Sequence, residues 1–158
     1  MEISGPVLGK GADCEPVLRD LPEWFGIESA IVHYVDSIDR MPTFLAAESG
    51  AIIGFLTVCR HFPVSAEIYV MAIARKHHRL GIGRCLIDRA EAWLCSEGVR
   101  FLQVKTLSAS HPDPNYASTR RFYERMGFSP LEELITLWDP SNPCLLLVKT
   151  LAPPAIGP

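Results

Sequence analysis

The segment AEIYVMAIARKHHRLGIGRCLI, running from Ala66 to Ile87, constrains this chain more than any other. Ala66–Ile73 is an apolar, β-rich run that reads as a buried strand. A short basic stretch, Arg75–Arg79, follows it, and then Gly81-Ile82-Gly83. From there Ile82, Leu86, Ala90, Trp93 and Leu94 recur on one face of a helix, which should end near Gly98, a natural residue just past a helix C-terminus. A strand that turns through glycines into an amphipathic helix has to lay that helix on one face of a sheet. Glycines also let the main chain come close to a ligand. The first turn of a helix carries unpaired N–H groups and the positive end of the dipole, so the turn is suited to hold an anion such as phosphate. The plain alternative is a tight turn beside a solvated charge cluster.

Two nucleotide fingerprints fail here on residues. A dinucleotide-binding loop needs a third glycine where Leu86 stands, and a Walker loop needs Lys and then Ser or Thr where Arg84-Cys85 stand. His77 and His78 are adjacent, so they share no helix face, and no third ligand is spaced for them. No metal is expected.

The rest of the chain alternates helical and strand periods. Residues 1–15 read as a loose or edge segment. A short helix is expected from Glu15 to Phe25, interrupted at Pro22, and an amphipathic helix over 28–38 on Ile27, Ala30, Ile31, Tyr34 and Val35. Thr43–Glu48 and Ala51–His61 flank Ser49-Gly50, a β-hairpin signal. Val99–Thr106 reads as a strand, Ser108–Pro114 as a loop, and Asn115 as the start of a helix that carries Phe122, Tyr123 and Met126 and stops at Gly127. LEELITLW and CLLLVKT, around the turn Asp139–Pro143, add two strands. A hairpin feeding a strand–helix–strand unit implies an α/β (α+β) fold, a mixed sheet with helices on both faces. With 158 residues in all, one domain over 1–151 is expected, with a frayed tail at 152–158.

Composition excludes other classes. Fifteen Lys+Arg against 18 Asp+Glu give a net charge of −3, so there is no global basic field and no nucleic-acid partner is expected. The basic cluster itself is short and not interleaved with aromatics. Cys14, Cys59, Cys85, Cys95 and Cys144 are scattered and odd in number, which speaks against a disulfide framework or a zinc knuckle and for a reducing cytoplasm. The N-terminus has no apolar core flanked by basic residues, so no signal peptide is expected. No apolar run approaches the ~20 residues of a membrane span.

The arrangement resembles the GNAT superfamily of acetyl-CoA-dependent N-acetyltransferases. Two motifs carry the likeness: AEIYVMAIARKHHRLGIGRCLI, and NYASTRRFYERMGF from Asn115 to Phe128. The family's loop pattern, Gln/Arg-x-x-Gly-x-Gly/Ala, falls on His78-Arg79-Leu80-Gly81-Ile82-Gly83, with His78 in place of Gln or Arg. Ser118 replaces a common Ala. The resemblance spans about Thr43 to Leu151.

It implies a mostly antiparallel, twisted single-domain sheet. A gap between the strands Ile68–Ile73 and Phe101–Thr106 would hold acetyl-CoA, with no metal. The main chain of Met71, Ala72 and Ile73 would pair with the pantetheine arm, and an N–H near Met71 would polarise the thioester carbonyl. The amides of His78, Arg79, Leu80, Gly81, Ile82, Gly83 and Arg84 would hold the diphosphate. Arg79 or Arg75 would add positive charge.

Tyr123 stands where the family places the acid that protonates the departing thiolate. Read from the residues alone, it is a core aromatic beside Phe122. Glu67 resembles the strand glutamate used as general base in the histone-acetyltransferase branch, and the bland reading pairs it with Arg60. A base is needed because freeing a protonated alkyl amine near neutral pH costs about 4 kcal/mol, given its reference pKa of ~10.4. Asn115 is both an N-cap candidate and a contact for the CoA arm. Cys85 and Cys95 lie on the helix away from a base, so direct attack by the amine is expected rather than a cysteine intermediate.

The implied acceptor is a primary amine of a small molecule or peptide, entering past Trp24, Phe25, Tyr34 and Ser108–Pro114. A non-catalytic acyl-CoA-binding module is the alternative. Exposed late strands leave a homodimer open.

Overall fold

The computed structural model describes residues 1–152 and 157. Seven strands form one sheet in the order β1-β2-β3-β4-β5-β7-β6. They are β1 (Glu2–Val7), β2 (Thr43–Glu48), β3 (Ala51–Phe62), β4 (Ser65–Ile73), β5 (Phe101–Leu107), β6 (Ser129–Asp139) and β7 (Asn142–Thr150). All neighbours are antiparallel except β4 and β5. The helices are α1 (Gly11–Arg19), α2 (Glu28–Arg40), α3 (Ile82–Ser96) and α4 (Pro114–Arg125). α1 and α2 cover one face of the sheet, burying Cys14, Leu18 and Ile38 against Phe55 and Val70. α3 and α4 cover the other, burying Leu86, Leu94 and Tyr123 against Leu56, Val104 and Leu147.

The expected mixed sheet with helices on both faces is therefore the observed one. The hairpin turn falls on Ser49 and Gly50, both left-handed at φ 51° and 81°, as its glycine implied. Gly98, at φ 83°, ends α3 just past its last turn. Residues 1–15 resolve into the edge strand β1 and the start of α1.

The first helix and the start of β5 differ from the sequence expectation. The first helix is Gly11–Arg19, not Glu15–Phe25, and Pro16 lies inside it. What places its start at Gly11 is close packing: a Cβ there would run into Val35 O of α2, and the Gly11 N–H donates to Asp39 Oδ1 at 2.6 Å. That carboxylate satisfies an N-terminal amide that no local side chain caps. β5 begins at Phe101 rather than Val99, because Arg100 and Phe101 first donate their amides to Val64 O. The tail expected at 152–158 falls, apart from Ala152 and Gly157, outside the described residues.

Candidate active site

The parallel pairing of β4 with β5 covers only Ser65–Ile68 against Phe101–Val104. β4 runs on to Ile73 held by β3, and β5 runs on to Leu107 held by β7. Between them, residues 69–73 and 105–107 face each other unpaired, so the expected gap is present. Its cause is local: the β3–β4 register shifts between Thr57 and Val58, which leaves Tyr69 as an extra residue between Ile68 and Val70. Such a bulge bends the strand that carries it. It also resets the alternation of side chains. Val70 and Ala72 pack under α1 and α2, and Met71 and Ile73 pack toward α3 and α4. The side chains of Met71 and Ile73 thus join the core, and the main chain is left at the gap.

The glycine turn leaves the end of β4. Ala74 leads into a single 3-10 turn, Arg75–His77, and α3 starts at Ile82. Arg79 is left-handed at φ 62° and Gly81 at φ 81°. Among the described residues no side chain caps α3, so its first amides have no side-chain partner there. Arg79, Leu80, Gly81 and Arg84 are exposed, Gly83 is half-buried and Ile82 is buried. Gly83 is needed for packing: a Cβ there would lie 2.9 Å from Phe122 Cζ, so glycine lets the start of α3 close on α4.

Two basic side chains near the turn, His78 and Arg75, have other partners. His78 Nε2 donates to Ile73 O at 2.7 Å, since a carbonyl can only accept. Its side chain braces the strand end. The Arg75 guanidinium binds Glu23 at 2.5 Å, and the Arg75 N–H donates to Asp20 Oδ2 at 2.6 Å. Arg75 therefore fastens the turn to the α1–α2 linker, and Lys76, Arg79 and Arg84 are exposed positive charges of the turn.

α4 closes the other side. Its N-cap is Asp113, whose Oδ1 accepts from the amides of Asn115 (2.8 Å) and Tyr116 (3.3 Å), with Pro114 in the first turn. Asn115 is therefore not the cap; it follows Pro114, half-buried, with its side chain left for other contacts. Trp24 Nε1 donates to Thr119 Oγ1 at 3.1 Å, the Tyr116 hydroxyl donates to Trp24 O at 3.3 Å, and the Trp24 ring meets the edge of His78 at 6.1 Å. Trp24 thus spans the distance between the glycine turn and α4. Behind it, Phe25, Tyr34 and Tyr69 form an edge-to-face series with centroids 5.7 and 5.9 Å apart.

Tyr123 is 6% exposed, edge-on to Phe122 and Phe128. Burial alone pushes its phenol above the ordinary value, with no charge or hydrogen bond contributing. The group therefore stays protonated throughout the neutral range and is a donor.

Glu67, 7% exposed, lies opposite Cys59 on β3 and Gln103 on β5. Its carboxylate is 2.6 Å from His61 Nε2 and accepts from Lys105 Nζ (3.1 Å) and Gln103 Nε2 (3.3 Å). Arg60 is not its partner; one residue along the strand, it turns to the other face and binds Glu97 and Pro63 O. His61, Lys105 and Gln103 were missed in the sequence. One signal was available: Gln103 and Lys105 alternate with Leu102, Val104 and Thr106, the pattern of a polar strand face. Among the described residues, no group of three His, Cys, Asp or Glu is placed to hold a metal ion. Among the described residues, no helix is long and apolar enough to cross a membrane.

A mixed sheet opened between two parallel strands, with an uncapped glycine turn at one lip and a buried phenol behind it, leaves main-chain groups free along an extended path that ends at an anion-suited turn. Residues 39–130 match the Acetyltransferase (GNAT) domain, and the chain belongs to this family, whose chemistry is acyl transfer from acetyl-CoA. It is similar to an uncharacterized N-acetyltransferase of Chlorobaculum tepidum, 31% identical over 107 residues. That match takes in 68% of this chain and spans 58% of the relative's length.

Among solved structures, a GNAT-family protein of Desulfovibrio desulfuricans superposes with a TM-score of 0.83 at 20% identity, covering 96% of this chain and 99% of that one. An aminoglycoside 6'-N-acetyltransferase complexed with coenzyme A superposes at 0.76 and 16% identity, covering 99% and 100%. Both support the fold.

Proposed function

We propose that this chain transfers an acetyl group from acetyl-CoA to a primary amine of a small molecule or peptide, by direct attack. The observation that carries the reading is the unpaired stretch of β4 beyond Ile68, leading straight into the uncapped turn Arg79–Gly83. The fit of CoA rests on these residues. Unpaired main chain along Met71, Ala72 and Ile73 suits the amide-bearing pantetheine arm, as an added strand would. The unclaimed amides of Leu80, Gly81, Ile82, Gly83 and Arg84 suit a diphosphate, with Arg79 and Arg84 as exposed positive charge. His78, turned to Ile73 O, serves through its main chain. Asn115 contacts the CoA arm.

A main-chain N–H near Met71 polarises the thioester carbonyl, and Tyr123 gives its proton to the leaving sulfur. Burial that raises the phenol also raises the thiol, so the transfer stays useful. Glu67 is the general base for an ammonium acceptor, acting directly or through water. The acceptor reaches the gap past Trp24, Phe25, Tyr34 and the loop 108–113.

A cytoplasmic location belongs to the same reading, supported by Cys14, Cys59, Cys85, Cys95 and Cys144 all being free thiols. So does self-association: β6 is a free sheet edge with Leu131, Ile135, Leu137 and Trp138 exposed, a surface a second copy would cover. Sedimentation velocity that finds only the 17.5 kDa species would remove that element.

The test of the whole is calorimetric titration of CoA, followed by thiol release from acetyl-CoA across a panel of amines. Binding with amine-dependent release is the expected result. Binding with no release for any amine would make the chain a non-catalytic acyl-CoA-binding module, and no binding at all would end the proposal.

A further inference from the structure

The acceptor's way in can be followed along β4. Ala66 and Ile68 pack toward α3 and α4, so Glu67 between them points to the α1–α2 side of the sheet. Beyond the bulge, Val70 and Ala72 are buried on that same side, and Met71 and Ile73 turn back to the other. Tyr69 is therefore the half-buried β4 side chain on the α1–α2 side between the Glu67 carboxylate and the Met71 amide. Each lies two residues from it, about 7 Å along the strand. Parallel pairing ends one residue earlier, at Ile68 and Val104, so Tyr69 stands at the mouth of the gap.

A wall of rings continues from there. Tyr69, Tyr34 and Phe25 pack edge to face, Trp24 precedes Phe25 in the α1–α2 linker, and Tyr116 reaches Trp24 from α4. Each is half-buried and leaves ring surface uncovered. Their polar ends are mostly taken by the protein. The Tyr69 hydroxyl is shared with His33 Nε2 at 3.0 Å and Ser37 Oγ at 3.3 Å, both on α2. Trp24 Nε1 donates to Thr119, and the Tyr116 hydroxyl to Trp24 O. Among the described residues the Tyr34 hydroxyl alone of this set has no such bond. On the facing loop, Ser108 and Ser110 donate to Glu133, and His111 Nδ1 is enclosed. On the floor, Glu67 and Lys105 are paired with each other.

A polyhydroxylated body laid on this wall would give up its water and find one hydroxyl in return, and each polar group buried without a partner costs free energy. A flat apolar ring carries no such cost and gains edge-to-face contacts. We infer that the acceptor is a primary amine carried on an aromatic body, an arylalkylamine by class, whose ring lies against Phe25, Tyr34 and Tyr69 while its nitrogen reaches the gap; amino sugars are then poor acceptors. This rests on the acetyl-transfer reading above and narrows its acceptor.

The experiment has two arms on the full chain. In the first, thiol release from acetyl-CoA is followed with 2-phenylethylamine, propylamine and glucosamine, compared at equal concentrations of free amine. kcat/KM should be highest for 2-phenylethylamine, by ~10-fold over propylamine and ~100-fold over glucosamine. Phe25→Leu, which keeps an apolar side chain, and Tyr69→Leu should each narrow the first ratio by ~2- to 10-fold through KM, with CoA affinity unchanged. In the second, saturation-transfer NMR is run in the presence of CoA with 2-phenylethanol, which has the ring and no amine. Transfer to its ring protons should appear with the wild type and weaken in both variants. Propylamine or glucosamine matching 2-phenylethylamine overturns the inference, as do variants that leave the ratio where it was. If no amine releases thiol, the acetyl-transfer reading falls instead, and the NMR signal still decides whether the wall takes an aromatic ring.

Discussion

Replacing Tyr123 by Phe separates chemistry from packing at one atom. The side chain is 6% exposed between Phe122 and Phe128, with ring centroids 5.2 and 5.6 Å away. Phe keeps those contacts and removes only a hydroxyl whose pKa responds to burial alone. Among the described residues the hydroxyl has no side-chain hydrogen bond, yet it is not one of the fully buried unpartnered atoms, so its removal should leave the fold unharmed, within ~0.5 kcal/mol. Loss of a general acid should lower kcat by about 10²–10⁴-fold. The assays are thermal unfolding, calorimetric CoA binding and thiol release on the same preparation. The expected outcome is an intact Tm, CoA affinity within about twofold and a collapsed kcat. A kcat within roughly threefold of wild type would remove Tyr123 from proton transfer. A Tm lowered by more than about 4 °C would show that the hydroxyl carries structure.

Three further outcomes follow from the geometry. Burial keeps the Tyr123 phenol protonated in the folded state, while in the unfolded chain it ionises above pH ~10. The unfolded chain then binds fewer protons, so this stability is complete below pH ~10 and is lost as pH rises beyond it. Tyr116, pushed up to about 12 mainly by burial, acts in the same direction. Denaturant midpoints should fall from pH 9 to 11, and less steeply in Tyr123→Phe. Asp113→Ala removes the α4 cap and should cost ~1 kcal/mol in chemical denaturation, and Asn115→Ala should stay within about 0.5 kcal/mol. Gly81→Ala forces a left-handed alanine where the added Cβ meets nothing within 4 Å, so its cost is purely conformational, about 1–2 kcal/mol. CoA affinity, read by calorimetry, should weaken with it.

Much of this was legible in the chain because local periods and glycines report local geometry. Ala66–Ile73, the Ser49-Gly50 turn, α3 and its end at Gly98 all follow from side-chain spacing and from φ values that glycine tolerates. α1 was misplaced because Pro16 suits a first turn better than an interior. The helix begins instead where Gly11 can touch Val35 of α2 and borrow the Asp39 carboxylate, a contact 28 residues away in the chain. Asn115 and Asp113 are both good caps, and the choice between them depended on Pro114 occupying the first turn. The surroundings of Glu67 were hidden for a different reason. His61 and Lys105 come to it from two other strands, and only the pairing register, with its bulge at Tyr69, sets which side chains share that row.

The clamp from Arg75 to Asp20 and Glu23 has a kinetic meaning. One bracket holds both the turn proposed for the donor's phosphates and the linker that carries Trp24, on the proposed acceptor side. Loosening it disturbs two substrates at once, so lesions here should appear as paired rises in both Michaelis constants rather than as a defect confined to either.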